Sequence, residues 1–177
     1  PRNEEMQKKL NVKIKFRESF RPFAPSVLAE ECKNYFQHDS VSPYMLLVQP
    51  VVENRRSELP PGYHTFPIKE KLYHVRSDMP AITHIDFSAR IQTVHKETNP
   101  RYYELIEEFK KLTGYGVIVN TSFNVRGEPI ICTPEDAYRC FMRTEMDYLV
   151  VGNYVFAKKE QPYWHEKDNW KEEFTLD

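Results

Sequence analysis

Hydrophobic positions along the chain follow two periods, and the switches between them mark the predicted elements. Val12, Ile14 and Phe16 alternate with Lys13, Lys15 and Arg17. A spacing of two predicts a strand over Val12–Glu18 with the three cations on one face. Before it, Glu4–Leu10 reads as a short helix or the tail of one entering from upstream. After it comes Ser19-Phe20-Arg21-Pro22-Phe23-Ala24-Pro25. Its two prolines fix φ and rule out a regular helix. Leu28, Cys32, Tyr35 and Phe36 have helical spacing, and Ser26 is a good cap, which predicts a helix from Ser26 to about Tyr35.

Tyr44–Val52 is the most apolar run and reads as a central strand. Glu53–Met79 has weak periodicity, with a turn at Pro60-Pro61-Gly62, and reads as a long loop with one short helix. Loops of that length in compact domains are often functional or mobile. Ala81–Asp86 and Arg90–Val94 read as two short strands, with a bend at Phe87–Ala89. Asn99-Pro100 opens a helix whose apolar face is Tyr102, Leu105, Ile106, Phe109 and Leu112, and Gly114 ends it. Gly116–Val119 is rich in β-branched residues and reads as a buried strand. Thr133 caps the next helix, with Pro134 in its first position and Asp136 in its first turn. Ala137, Cys140 and Phe141 face inward. Asp147–Phe156 is a last strand or a pair bent at Gly152. This mixture of strands and helices predicts one α/β or α+β sheet domain over residues 1–157, followed by a charged tail, 158–177, that holds Trp164 and Trp170.

Composition narrows the class without naming a function. The chain is 40% hydrophobic and 29% charged, ordinary values for a soluble globular protein. Its length suits a domain that buries roughly 70% of its unfolded surface. A net charge of -1 provides no global field for nucleic acid or an anionic membrane. No apolar run is long enough to span a bilayer, and Pro1-Arg2-Asn3-Glu4-Glu5 is too polar to begin a signal peptide. Cys32, Cys132 and Cys140 are odd in number and show no CxxC spacing. They indicate neither a disulfide framework nor a zinc site, and suit thiols kept in a reducing cytoplasm. The start, charged and without methionine, suits a domain excised from a longer protein.

Three polar clusters carry candidate chemistry. Lys15, Arg17 and Arg21 crowd three cations into a short stretch; they repel one another unless an anion sits among them. Arginine's planar fork binds phosphate or carboxylate bidentately, whereas the plainer reading is a solvated edge strand. Thr83, His84, Asp86, Ser88 and Arg90 form the second cluster. His84 and Asp86 suit metal binding, proton transfer or a simple structural pair, and Arg90 suits an anion. The third is Asn120, Thr121, Ser122, Asn124 and Arg126, between a strand and a helix, where ligand sites of α/β sheets often lie. Its amides and hydroxyls suit a phosphate, a ribose or a small amide, or else a polar turn. No Walker A, G-x-G-x-x-G or G-x-S-x-G pattern is present.

Lys15-x-Arg17 together with Ser122-x-Asn124 resembles the KxR and SxN tetrad of YrdC-like domains, which bind ATP and form acyl-adenylates of the carbamoyl type. More closely, Lys15-Phe16-Arg17-Glu18-Ser19-Phe20-Arg21-Pro22-Phe23-Ala24-Pro25 is similar to the start of the C-terminal domain of the O-carbamoyltransferase family of nodulation and antibiotic-tailoring enzymes. Pro80–Asp86, Ser88–Val94 and Asn120–Asn124 through Pro134-Glu135-Asp136-Ala137 match as well, in the same order. The resemblance runs from the first residues to about Phe156.

The resemblance implies a YrdC-like twisted mixed β-sheet with helices packed on it. It implies ATP, its magnesium ion and carbamoyl phosphate as ligands, carbamoyl-adenylate as product, and a cytoplasmic location. An N-terminal ATPase-fold domain of the same polypeptide, lying outside this chain, would carry out the transfer to a hydroxyl acceptor. Lys15, Arg17, Arg21 and Arg90 would offset the phosphate charge. Ser122 and Asn124 would position the carbamoyl group or the α-phosphate. Asn120, Thr121 and Arg126 would add contacts, while His84 and Asp86 would serve as site support or in proton transfer. No protein ligand for the metal is identified. Phe87 departs from the family pattern, which has a small residue there in many relatives. The alternatives are a non-catalytic nucleotide- or RNA-binding module and a purely structural domain.

Overall fold

The computed structural model describes residues 1–165 and 170. Its helices and strands are, in chain order, α1 (Glu4–Leu10), β1 (Ala24–Leu28), β2 (Leu47–Pro50), α2 (Ile68–Tyr73), β3 (Ser88–Val94), α3 (Pro100–Thr113), β4 (Val117–Asn120), α4 (Pro134–Arg143), β5 (Tyr148–Val151) and β6 (Tyr154–Ala157). The chain divides into two compact units. Pro1–Gln7 with Phe20–Thr121 forms the first, and Lys8–Ser19 with the chain from Ser122 onward forms the second.

A mixed four-stranded sheet, in the order β2-β3-β1-β4, organises the first unit. β1 runs parallel to β3 and antiparallel to β4, and β2 is antiparallel to β3. The α/β class with a mixed sheet is therefore the one the sequence predicts. Side chains alternate across each strand, so Ser88, Arg90, Gln92 and Val94 share one face of β3. Ala89, Ile91 and Thr93 share the other face and are buried. α3 starts and stops as its sequence says. Asn99 accepts from the Tyr102 amide, and Gly114 ends the helix with φ 78°. Its Ile106 packs on Leu28 and Val94, with Tyr102, Tyr103 and Ile118 around them. α3 thus covers the apolar end of the face that carries Val94.

In the second unit, α4 packs against the β5–β6 hairpin through Ala137, Phe141 and Leu149. Thr133 and Asp136 form a full capping box at the start of α4. Gly152, at φ 60°, makes the hairpin turn. The Lys158 ammonium donates to the carbonyls of Phe141 and Thr144, closing the C-terminus of α4 where cations are favoured. Of the predicted tail, residues 166–169 and 171–177 lie outside the described residues.

Four predicted elements are corrected. Val12–Glu18 is no strand: α1 runs on into a π-helical turn, Asn11–Lys15, which Phe16 ends at φ 51°. Met6, Leu10 and Ile14 also have helical spacing, and this longer pattern overrides the local alternation. Asn11 is fully buried; its side chain donates to the Ser19 carbonyl and accepts from Arg17 Nε at 2.6 Å, so the segment curls on itself. Ser26 does not cap a helix but lies inside β1, and the helical spacing of Leu28, Cys32 and Tyr35 comes from the 3-10 helix Ala29–Asn34 that follows. Tyr44–Val52 yields only the edge strand β2, with Tyr44 80% and Val48 52% exposed. Ala81–Asp86 forms turns, because the buried Arg76 guanidinium takes up the carbonyls of Thr83 and His84. Those are the acceptors that a strand ladder would have used.

Candidate functional site

The polar end of the first unit's sheet is built by strand alternation. Ser88, Arg90 and Gln92 stand in a row on β3, and register places Ser26 of β1 opposite Gln92. Ser26 Oγ donates to Gln92 Oε1 at 2.7 Å, and Asn120 Nδ2 donates to the same oxygen at 2.7 Å and to Ser26 Oγ at 2.9 Å. Arg90 sits exposed between this trio and Ser88. Its guanidinium makes no hydrogen bond or ion pair among the described residues. An arginine with five open donors and no carboxylate partner is a ready anion binder.

Ser88 begins the row and carries the predicted His84 and Asp86. Ser88 Oγ donates to Asp86 Oδ1 at 2.6 Å and lies 2.9 Å from His84 Nδ1. The same Asp86 oxygen accepts the Ser88 amide at 3.0 Å. These bonds, the Ser88 hydroxyl first, hold the Asp86 carboxyl below the usual carboxylate range. Burial lowers the His84 imidazole, with Arg90 and Arg76 adding to the effect and Asp86 opposing it. His84 is therefore neutral at pH 7.

The second unit holds the other cluster. Lys15, only 4% exposed, places its ammonium among four oxygens of a loop more than a hundred residues away. It donates to the Ser122 carbonyl, to the Asn124 carbonyl and Oδ1 at 2.8 Å each, and more weakly to Ser122 Oγ at 3.3 Å. Ser122 Oγ in turn donates to Asn124 Oδ1 at 2.7 Å, and Asn124 Nδ2 to the Glu128 carbonyl at 2.7 Å. Burial, followed by the nearby Arg17 guanidinium, brings the Lys15 ammonium down to about 8. The ring of oxygens favours the charged form, so Lys15 is a cation at neutral pH.

The remaining predicted residues are distributed as follows. Arg126 donates its amide to the Lys15 carbonyl at 3.1 Å, and its guanidinium lies 3.7 Å from Glu18. Arg17 is held by Asn11. Arg21 and Thr121 are exposed in the first unit. Lys15, Arg17, Ser122, Asn124 and Arg126 thus belong to the second unit, and Arg21, His84, Asp86, Arg90, Asn120 and Thr121 to the first. Ser26 and Gln92 complete the polar row and were missed. The period-two run Ser88-x-Arg90-x-Gln92 carries the signal for Gln92, whereas Ser26 joins it only through the pairing of two strands. Among the described residues no group of three or more His, Cys, Asp or Glu side chains suits a metal ion. Burial pushes the Cys32 and Cys140 thiols up to about 11, which makes them poor nucleophiles. Among the described residues no helix is long and apolar enough to cross a membrane.

A family model described as carbamoyltransferase C-terminus matches residues 1–158. The chain is 63% identical along its whole length to an uncharacterised protein of Synechocystis, covering 29% of that protein. It is 37% identical to nodulation protein NolO of Bradyrhizobium diazoefficiens over 90% of its own length and 26% of that protein's. It is 32% identical to the 3'-hydroxymethylcephem-O-carbamoyltransferase of Amycolatopsis lactamdurans, over 83% of its length and 24% of that enzyme's. The chain spans about a quarter of the length of these curated relatives.

Proposed function

The chain belongs to the carbamoyltransferase C-terminal family, and from that premise we propose that it binds ATP and carbamoyl phosphate and forms carbamoyl-adenylate. A further module of the same polypeptide, of the N-terminal ATPase-fold type, would pass the carbamoyl group to a hydroxyl acceptor. The name of the cephem enzyme, an O-carbamoyltransferase, supports an oxygen acceptor. The observation that carries the reading is the contact of Lys15 with Ser122 and Asn124. Residues 107 and 109 positions apart meet around one ammonium. Lys15, Ser122 and Asn124 are three of the four groups of the tetrad in the adenylating resemblance, and Arg17, the fourth, is held by Asn11.

Each group has a task under this reading. Lys15 supplies positive charge and fixes the shape of the Ser122–Asn124 loop. Ser122 and Asn124 present a hydroxyl and an amide to a carbamoyl group or phosphate. Arg90 and Arg21 offer guanidinium groups to phosphate oxygens, whose charge grows as pyrophosphate leaves. Magnesium arrives with ATP as part of the substrate.

The test is carbamoyl-phosphate-dependent exchange of pyrophosphate into ATP, alongside calorimetric titration with a non-hydrolysable ATP analogue. The wild-type chain should bind the analogue and catalyse exchange. Ser122→Ala and Asn124→Ala should each lower exchange by ~10-fold or more while the protein stays folded. Neither binding nor exchange in the wild type would sink the reading.

A further inference from the structure

The Ser88 hydroxyl has one proton and two polar neighbours, and this fixes the protonation of the histidine beside it. Asp86 is a carboxylate at neutral pH and can only accept, so the Ser88 proton lies on the 2.6 Å bond to Asp86 Oδ1. Ser88 Oγ must then accept from His84 Nδ1 at 2.9 Å. With the opposite tautomer, Nδ1 and the carboxylate would compete for that single proton. His84 is held at its backbone too: its amide donates to the Ser88 carbonyl at 2.8 Å, and its carbonyl accepts from Arg76 Nε at 2.9 Å. Nε2 is left as an unprotonated nitrogen with no partner among the described residues. This is not a Ser-His-Asp relay, because both the histidine and the aspartate attach to the serine.

We propose that His84 Nε2 accepts the proton released in the water-consuming step of carbamoyl-adenylate formation, with Ser88 and Asp86 as the positioning residues that keep it open. The proposal rests on the adenylation reading above. Carbamoyl phosphate already carries a phosphoryl group on the oxygen that must become bonded to the α-phosphorus of ATP. That group has to leave first, at the cost of one water. The water oxygen bonds to phosphorus while the phosphorus–oxygen bond to the carbamoyl group breaks, and its electron pair stays on carbamate. One water proton remains on the phosphate. The other goes to Nε2 and from there to solvent. The carbamate oxygen then displaces pyrophosphate from ATP.

Arg90, on the same sheet face as Ser88 and close enough to depress the His84 imidazole, is the neighbouring anion binder. The charged groups that act on His84 are Asp86, Arg90 and Arg76. Burial and the two arginines together outweigh Asp86, so Nε2 stays a free base to below the usual imidazole range.

Two readouts on the same chain decide the matter. In the first, 15N NMR of labelled histidine should show His84 above its titration with Nδ1 protonated and Nε2 unprotonated, and Ser88→Ala should lose that preference. In the second, release of inorganic phosphate from carbamoyl phosphate in the presence of ATP should fall on an acid limb below the usual imidazole range. His84→Gln should remove that limb and lower turnover by ~100-fold at unchanged KM. Asp86→Asn should move the limb to lower pH. A wild type with protonated Nε2, or a His84→Gln protein that keeps both rate and limb, overturns this inference alone. A wild type with no exchange overturns the adenylation reading and the base role with it.

Discussion

Lys15 in the second unit and Arg90 in the first are both cations picked out by the sequence, yet the structure uses them in opposite ways. Every proton on the Lys15 ammonium is already placed on a loop oxygen. None of the Arg90 donors is placed among the described residues. A buried, saturated cation holds a loop in shape, and its loss is felt first in stability. An exposed cation with open donors contributes little to stability, and its loss is felt in binding and rate. The same residue class therefore divides into an organiser and a reagent.

The largest expected effect falls on the reagent. Arg90→Ala should lower carbamoyl-phosphate-dependent exchange by ~100-fold. Its unfolding midpoint in urea should move by no more than ~0.5 kcal/mol equivalent. Lys15→Met should do the reverse in order of severity. With the Asn124 and Ser122 oxygens left unpaired, the fold should lose about 2 kcal/mol, and analogue binding should weaken as a consequence of loop disorder. If Lys15→Met were as stable as the wild type, the organiser role would be wrong, and Lys15 would be a reagent like Arg90.

A smaller effect is expected from pH. The Lys15 ammonium titrates at about 8, well below the ordinary lysine value. Its charge is present below that point and lost as pH rises through it. Affinity for the ATP analogue should therefore fall between pH 7 and 9. In Lys15→Met the fall should vanish, leaving weak binding that is flat across the same range. A wild-type profile that is flat to pH 10 would show that the oxygen cage restores an ordinary lysine titration.

Much of this arrangement was legible in the sequence, where local chemistry decides the outcome. Asn99-Pro100 and Gly114 bound α3, Thr133 and Asp136 start α4, and Gly152 turns the hairpin, all through bonds within a few residues. The failures come where a distant partner decides. Nothing near Lys15 announces that Asn11 beneath it is buried, or that a loop more than a hundred residues on will surround its ammonium. Nothing near Thr83 and His84 announces that Arg76 will take their carbonyls. The polar row failed differently. Serine at position 26 suits a helix cap equally well by its local sequence, and only the pairing of two strands brings it to Gln92.

The finest test concerns the turn that presents Asp86 and His84. Phe87 closes it with φ 65°, a conformation that costs a residue bearing a Cβ about 1 kcal/mol. The turn stands nonetheless: the Phe87 amide donates to His84 and its carbonyl accepts from Val51. The Arg56 guanidinium lies 5.4 Å above the ring and recovers part of the cost. Phe87→Ala gives up the ring and keeps the strain, whereas Phe87→Gly gives up the ring and releases it. The glycine variant should therefore be the more stable of the two by about 1 kcal/mol in urea unfolding, and it should keep the His84 tautomer and the exchange rate. An alanine variant equal to glycine would mean that the chain does not turn left-handed at this residue. The open Nε2 would then lose the backbone that supports it.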